Sequence, residues 1–71
     1  MATANREDYL ISILRLTEGK GTAKTTELAE FMDVSPASVS EMVKVLSSEG
    51  FVNYEKYRGM SLTEEGLSYA R

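Results

Sequence analysis

Residues 34–52, VSPASVSEMVKVLSSEGFV, combine an apolar seam with small polar side chains at helical spacing. If this stretch is a helix, its apolar residues share one buried face: Val39, Met42, Val43 and Leu46. The opposite face then carries side chains that can contact DNA: Ser35, Ala37, Ser38, Ser40, Glu41 and Lys44. Serine hydroxyls can donate to phosphates or base edges, an alanine methyl can touch a thymine methyl, and a carboxylate can accept from a cytosine amino group. A polar face that is merely solvated is the alternative interpretation.

A second candidate contact region is the run Lys56-Tyr57-Arg58, in which two cations flank an aromatic side chain. The run lies between two short β-prone segments, 51–55 and 59–62, and is therefore predicted to be a hairpin tip. Such a tip suits contact with a phosphate backbone or entry into a minor groove. An ordinary solvated turn is the alternative.

Composition excludes several other kinds of chemistry. The 71 residues contain neither Cys nor His, which removes disulfides, thiolate metal sites and the usual general base near neutral pH. A small enzyme therefore has no catalytic constellation to support it. The N-terminus lacks a signal-peptide pattern and the sequence has no apolar run of about 18 residues, so a soluble cytoplasmic protein is expected, without membrane association.

The remaining elements follow from periodicity and capping residues. A first helix is predicted from Asn5, as N-cap, to Leu16, and a short extended piece near 22–24 follows it. Thr25 is predicted to cap a second helix, which has Leu28, Phe31 and Met32 on its apolar face.

The third helix is predicted to start with Ser35 as N-cap and Pro36 at its first position, and to end before a left-handed Gly50. Asp33 occupies a turn position that favours positive φ, which Asp tolerates. After the hairpin, Thr63 is predicted to cap a fourth helix that is cut off at the end of the chain. The predicted fold is mainly α with a small β-hairpin: a winged helix-turn-helix of three helices plus a wing, with the fourth helix truncated.

The net charge of −3, from 11 acidic and 8 basic residues, does not exclude DNA binding. Only the field within about 8 Å, roughly one Debye length at physiological salt, acts on a bound phosphate. A basic wing on an otherwise acidic domain predicts weak nonspecific binding, so useful affinity requires a second copy of the domain.

Three stretches of the sequence resemble the N-terminal domain of the diphtheria toxin repressor family, the iron- and manganese-dependent regulators of bacteria and archaea. The stretches are REDYLISIL, TTELAEFMDVSPASVSEMVKVLSSEGFV and YEKYRGMSLTEEG, which together span nearly the whole chain. The resemblance implies a homodimeric transcription factor that represses metal-uptake genes by binding double-stranded DNA, with Fe²⁺ or Mn²⁺ as co-repressing signal. It also implies base reading by the positions of Ser35, Ala37, Ser38, Ser40 and Glu41.

The resemblance further implies a metal-binding role for Asp8 in a full-length parent. Its position corresponds to the one ligand that the first helix contributes, which is Asp in the manganese-sensing branch and Met in the toxin-repressor branch. The manganese-sensing branch also has Glu three residues later, where this chain has Ile11, which argues against a two-metal site of that type. Judged from the residues alone, Asp8 is a first-turn carboxylate favoured by the helix dipole. The 71-residue chain by itself is expected to hold no metal.

Two alternatives remain open. The single domain 1–71 is either the N-terminal part of a longer metal-dependent regulator or a naturally short winged helix, and the unfinished fourth helix favours the first. The alternative function is a stand-alone protein-interaction module without metal control. The excess of acidic residues and the predicted exposure of Tyr54 and Tyr57 support this alternative.

Overall fold

The computed structural model describes residues 5–55 and 58–70 of the chain. It contains four helices and one antiparallel hairpin, which confirms the predicted winged helix-turn-helix. The elements are α1 (Arg6–Thr17), α2 (Thr25–Met32), α3 (Pro36–Ser48), β1 (Val52–Glu55), β2 (Gly59–Leu62) and α4 (Glu64–Ala70). None of the described helices is long and apolar enough to cross a membrane.

Helix α1 begins with a capping box. The Asn5 side chain accepts a hydrogen bond from the Asp8 backbone N–H at 3.0 Å, and the Asp8 carboxylate accepts from the Asn5 N–H at 3.2 Å. The predicted N-cap is therefore confirmed. At the other end of the helix the Thr17 carbonyl accepts from three successive backbone N–H groups, and Gly21 takes a φ of 86° that favours glycine.

Helix α2 corrects two details of the sequence prediction. Lys24, not Thr25, is the N-cap, and Thr25 is the first helical residue. Phe31 was expected on the buried face, but 51% of it is exposed. A helix turns by about 100° per residue, so the buried residues Leu28 and Ala29 mark the two edges of its buried side. Half-buried Met32 lies between these edges, whereas Phe31 lies about 60° beyond the Leu28 edge.

The turn between α2 and α3 is a Schellman motif. Asp33 has φ 57° and ψ 48°, as predicted, and its N–H donates to the Glu30 carbonyl at 3.3 Å. The Val34 N–H donates to the Ala29 carbonyl at 3.0 Å, which closes the motif. Ser35 then caps α3 with Pro36 at the first position, also as predicted. This turn sets the crossing of the two helices.

The hairpin is tied to the helices through a third extended segment. Its register pairs Val52 with Leu62 and Tyr54 with Met60. Ala23 forms an isolated antiparallel bridge to Met60, with N–O distances of 2.9 and 2.8 Å in the two directions. The bridge requires a glycine at position 59, because a Cβ on Gly59 would lie 2.5 Å from the Ala23 carbonyl oxygen.

Helix α4 packs closely on the chain that leaves α3. The Thr63 hydroxyl accepts from the Gly66 N–H at 3.0 Å and donates to the Gly50 carbonyl at 2.7 Å. A Cβ on Gly66 would lie 2.1 Å from the Phe51 carbonyl oxygen, so only glycine permits this approach. Gly50 itself has φ 86°, which confirms its predicted left-handed conformation.

One apolar core joins all these elements. Its buried members come from α1, α2, α3, both strands and the extended segment that contains Ala23: Tyr9, Leu10, Ile13, Ala23, Leu28, Ala29, Val39, Val43, Leu46, Val52 and Met60. An ion pair between Arg6 and Glu49, 2.8 Å long, links the start of α1 to the end of α3. Both of its side chains are partly exposed, so the pair contributes at most about 1 kcal/mol.

Candidate nucleic-acid interface

Helix α3 has one apolar, buried face and one polar, exposed face, as the sequence predicted. Val39, Val43 and Leu46 are buried and Met42 is half-buried. All the predicted contact residues on the opposite face are exposed: Ser35, Ala37, Ser38, Ser40, Glu41 and Lys44. We call these six residues the outer face of α3. Because the core fixes the buried side, the orientation of the outer face is fixed as well.

The N-terminal end of the outer face has a defined hydroxyl arrangement. The Ser35 hydroxyl accepts from the Ser38 backbone N–H at 3.2 Å and donates to the Ser38 hydroxyl at 2.9 Å. Ser35 is thus occupied by the cap. The Ser38 hydroxyl already accepts one bond, so its own proton is available to an external acceptor. Ser38 is the better placed of the two hydroxyls to contact a base or a phosphate.

The structure describes only part of the predicted hairpin tip. Arg58 is exposed, its N–H donates to the Glu55 carbonyl at 3.1 Å, and its Nε lies 3.7 Å from a Glu55 carboxylate oxygen. With 81% of the Arg58 side chain exposed, this pair is weak and leaves the guanidinium accessible to another anion. The predictions for Lys56 and Tyr57 fall on residues outside the described part of the chain.

An open groove of about 390 Å³ separates α3 from the hairpin. Its lining is rich in hydroxyl groups and contains a single charge: Thr25, Ser40, Val43, Lys44, Ser47, Ser48 and Tyr54. We call this the α3–β1 groove. Lys44 makes no ion pair with any residue between 5 and 55 or 58 and 70. The groove therefore continues from the outer face of α3 toward the hairpin, and the Lys44 charge in it is not neutralised by any described carboxylate.

Sequence reasoning missed Thr25, Ser47 and Ser48 as neighbours of the outer face. Helical spacing carried a signal for two of them, because Ser47 and Ser48 lie three and four residues after Lys44. Thr25 had no such signal, since its position depends on how α2 crosses α3. Tyr54 was predicted to be exposed and is, with 49% of its surface accessible, but its proximity to α3 was not predicted.

Strand geometry explains why Tyr54 lies in the groove. Alternate residues of a strand point to the same side, so Tyr54 shares the side of buried Val52. Its register partner Met60 is buried on that side too. Tyr54 therefore continues the core-facing side of β1 beyond the edge of the core, next to Lys44.

Two groups in the described residues have shifted pKa values. The pKa of Glu27 is lowered, first by the hydrogen bond from the Lys20 ammonium and second by the backbone N–H of Lys24. Burial raises the pKa of the Tyr9 hydroxyl. Neither group lies on the outer face of α3, so these shifts concern the stability of the domain.

The described residues do not form a metal centre by themselves. No group of three or more acidic, His or Cys side chains lies close enough together within residues 5–55 and 58–70 to hold an ion. The carboxylate of Asp8 is exposed, and one of its oxygens accepts the Asn5 N–H in the capping box. Ile11, one turn later, offers no ligand atom. The plainer interpretation of Asp8, a first-turn carboxylate, therefore describes its contacts here.

Crossed helices, an outward polar helix and a hairpin with an exposed arginine define this molecule as a winged helix-turn-helix protein. Comparison with known proteins identifies the family within this class to which the chain belongs. The profile of the iron dependent repressor, N-terminal DNA binding domain, matches residues 1–60. The chain belongs to that family.

Two relatives show how close the similarity is. The HTH-type transcriptional regulator MntR of Oceanobacillus iheyensis is 46% identical over 66 residues, which cover 93% of this chain and 45% of that protein. The crystal structure of T. acidophilum IdeR superposes with a TM-score of 0.91 at 26% identity, covering 99% of this chain and 33% of that one.

The structure of the manganese regulator SloR gives a TM-score of 0.82 at 42% identity, over 97% of this chain and 32% of that one. The chain thus spans about half the length of the curated relatives it matches, and about a third of these two solved chains.

Proposed function

We propose that this domain reads an operator sequence in double-stranded DNA, as the DNA-binding part of a metal-dependent transcriptional repressor. In this proposal α3 enters the major groove and the hairpin contacts the flanking backbone. The domain acts by binding, without a catalytic step, in the cytoplasm. The observation that supports the proposal most strongly is that all six residues of the outer face of α3 are exposed.

Each part of the outer face has a chemical counterpart on DNA. A major groove about 12 Å wide admits one helix, so residues on a single face reach the base edges. The free proton of Ser38 can be donated to a purine acceptor or a phosphate, and the methyl group of Ala37 can pack on a thymine methyl. Glu41 is the only acidic residue of the face, and it is tolerated where it accepts from a cytosine amino group.

The distribution of charge supports weak binding by one copy and tighter binding by two. Arg58 and Lys44, the two described cations assigned to contact DNA in this proposal, are exposed, while the chain as a whole carries −3. Few neutralised phosphates give a shallow salt dependence and low affinity. We therefore propose that the functional unit is a homodimer, in which two copies of α3 read half-sites about one helical turn apart.

For a longer parent protein we propose control by Fe²⁺ or Mn²⁺. The relatives span about twice the length of this chain, and SloR is described as a manganese regulator. Asp8 is an exposed carboxylate, and carboxylate oxygen suits these ions. One carboxylate does not form a site alone, so the other ligands would have to come from outside the described residues.

Selection of bound duplexes from a randomised pool tests the proposal. The wild-type chain should enrich a defined sequence at about 50 mM salt, and Ser38→Ala or Glu41→Gln should shift the preferred base at one position each, because base contacts specify sequence. Glu64→Gln, an exposed carboxylate on α4, serves as the matched control and should leave the preference unchanged. If no duplex binds saturably at this salt concentration, the protein-interaction alternative replaces the proposal.

A further inference from the structure

We propose that the α3–β1 groove binds one sugar–phosphate strand of the duplex and that Tyr54 is a DNA-positioning residue within it. This inference rests on the proposed function and adds residues to it: Thr25, Ser47 and Tyr54. In this arrangement Lys44 supplies the charge that attracts a phosphate, and the surrounding hydroxyls donate hydrogen bonds to its oxygens.

The charge of the α3–β1 groove favours an anionic strand. The chain has 11 acidic residues against 8 basic ones, yet none of the described residues that line the groove is acidic. Lys44 is the one cation in that lining and has no carboxylate within salt-bridge distance in residues 5–55 and 58–70. A surface that is locally positive on an acidic domain favours an anionic occupant.

The α3–β1 groove also contains hydroxyl groups that can donate hydrogen bonds to a phosphate. The Ser48 hydroxyl donates to the Val45 carbonyl at 2.8 Å and is therefore occupied. Four other hydroxyls in the groove make no hydrogen bond to the described residues: Thr25, Ser40, Ser47 and Tyr54. A phosphate offers several acceptor oxygens and commonly takes hydrogen bonds from Ser, Thr and Tyr side chains in DNA complexes. The groove thus combines one charge with several unused donors.

The α3–β1 groove lies directly beside the outer face of α3. Ser40 and Lys44 belong both to the outer face of α3 and to the groove, so a helix seated in a major groove places the α3–β1 groove over an adjacent backbone. Tyr54 forms the hairpin side of the groove, because it continues the core-facing side of β1. A strand held between Lys44 and Tyr54 would fix how far α3 penetrates and at what angle.

The experiment titrates a labelled 24-base-pair duplex of mixed sequence with the 71-residue chain at several salt concentrations from about 50 mM upward. Tyr54→Phe should weaken binding about tenfold at every salt concentration and leave the salt slope unchanged, because a neutral hydroxyl releases no counterion. Lys44→Gln should lower the slope by about 0.9. The double variant Tyr54→Phe/Lys44→Gln should lose less binding free energy than the sum of the two single losses, since both groups contact the same DNA strand.

Matched controls exclude general effects. Tyr69→Phe changes a tyrosine of similar exposure, 47% against 49%, that lies on α4 away from the groove. Arg15→Gln removes one positive charge from α1. Both controls should bind as the wild type does. If Tyr54→Phe changes the unfolding midpoint, Ser47→Ala provides a second variant of the groove. Its DNA affinity should be about threefold lower than that of the wild type.

The outcomes separate this inference from the proposed function. If Tyr54→Phe, Ser47→Ala and Lys44→Gln bind like the wild type while Arg58→Ala does not, the domain binds DNA but not through this groove. If Arg15→Gln lowers the salt slope as much as Lys44→Gln does, the charge effect is diffuse and the inference is wrong. If the wild-type chain shows no saturable binding at about 50 mM salt, the proposed function fails and this inference fails with it.

Discussion

Replacing Gly66 by alanine tests how α4 is seated on the domain. An added Cβ would lie 2.1 Å from the Phe51 carbonyl oxygen and 3.1 Å from its carbon, far inside van der Waals contact. Both atoms belong to the backbone, so α4 must move away. The movement would break the hydrogen bond from the Thr63 N–H to the Phe51 carbonyl and the bond from the Thr63 hydroxyl to the Gly50 carbonyl, 3.1 and 2.7 Å long.

The expected cost combines three contributions. Two hydrogen bonds account for about 2 kcal/mol, and the Phe51–Tyr69 ring pair, with centroids 5.2 Å apart, for about 1 kcal/mol. The greater helix propensity of alanine returns about 1 kcal/mol. Gly66→Ala should therefore lower the free energy of unfolding by about 2 kcal/mol, which corresponds to a melting temperature lower by about 8–16 °C for a domain of this size.

Urea and thermal unfolding followed by circular dichroism measure this effect. Gly19→Ala is the matched control, because a Cβ there has no neighbour within 4 Å and the backbone is not left-handed. It should stay within about 0.5 kcal/mol of the wild type. A Gly66→Ala variant as stable as Gly19→Ala would refute the close approach of α4 to the turn after α3.

Three further predictions concern charge and backbone conformation. Arg58→Ala should weaken binding to all duplexes and reduce the salt slope by about one unit, and unchanged binding across salt would remove the hairpin from the interface. Asp33→Gly should stabilise the domain by about 0.5 kcal/mol and Asp33→Ala should destabilise it by about 1 kcal/mol, because the residue has φ 57°; equal stability of the two variants in urea would contradict that conformation. The pKa of Glu27 is held below its ordinary 4.5 chiefly by Lys20, so the stabilisation from its charge should be complete above about pH 6 and disappear as the pH falls through the lowered pKa. Unfolding of wild type and Glu27→Gln at several pH values checks this, and a difference that grows toward low pH would be the wrong sign.

The sequence was sufficient for features set by local interactions. The capping of α1 by Asn5, the Ser35-Pro36 start of α3 and the left-handed Asp33 and Gly50 depend on residues within a few positions of each other. Periodicity also placed the outer face of α3 correctly, because burial of Val39, Val43 and Leu46 leaves only one side for the polar residues.

Features that depend on the packing of distant elements were not predictable in this way. Phe31 has helical spacing with Leu28, yet Ala29 shifts the buried arc away from it. The α3–β1 groove brings Tyr54 and Thr25 beside Lys44, although 29 positions separate the first two in the sequence. Their proximity follows from the crossing of α2 and α3 and from the register of the hairpin. Apolar periodicity and capping residues predict neither of these.

The most direct test of the central claim is to map amide chemical shifts of the isotope-labelled chain during titration with duplex DNA at about 50 mM salt. We expect the largest shift changes on the outer face of α3, from Ser35 to Lys44, and on Arg58, while the shifts of the exposed residues of α4 around Ser68 stay unchanged. Changes confined to α1 and α4, with α3 unaffected, would show that this helix does not read DNA.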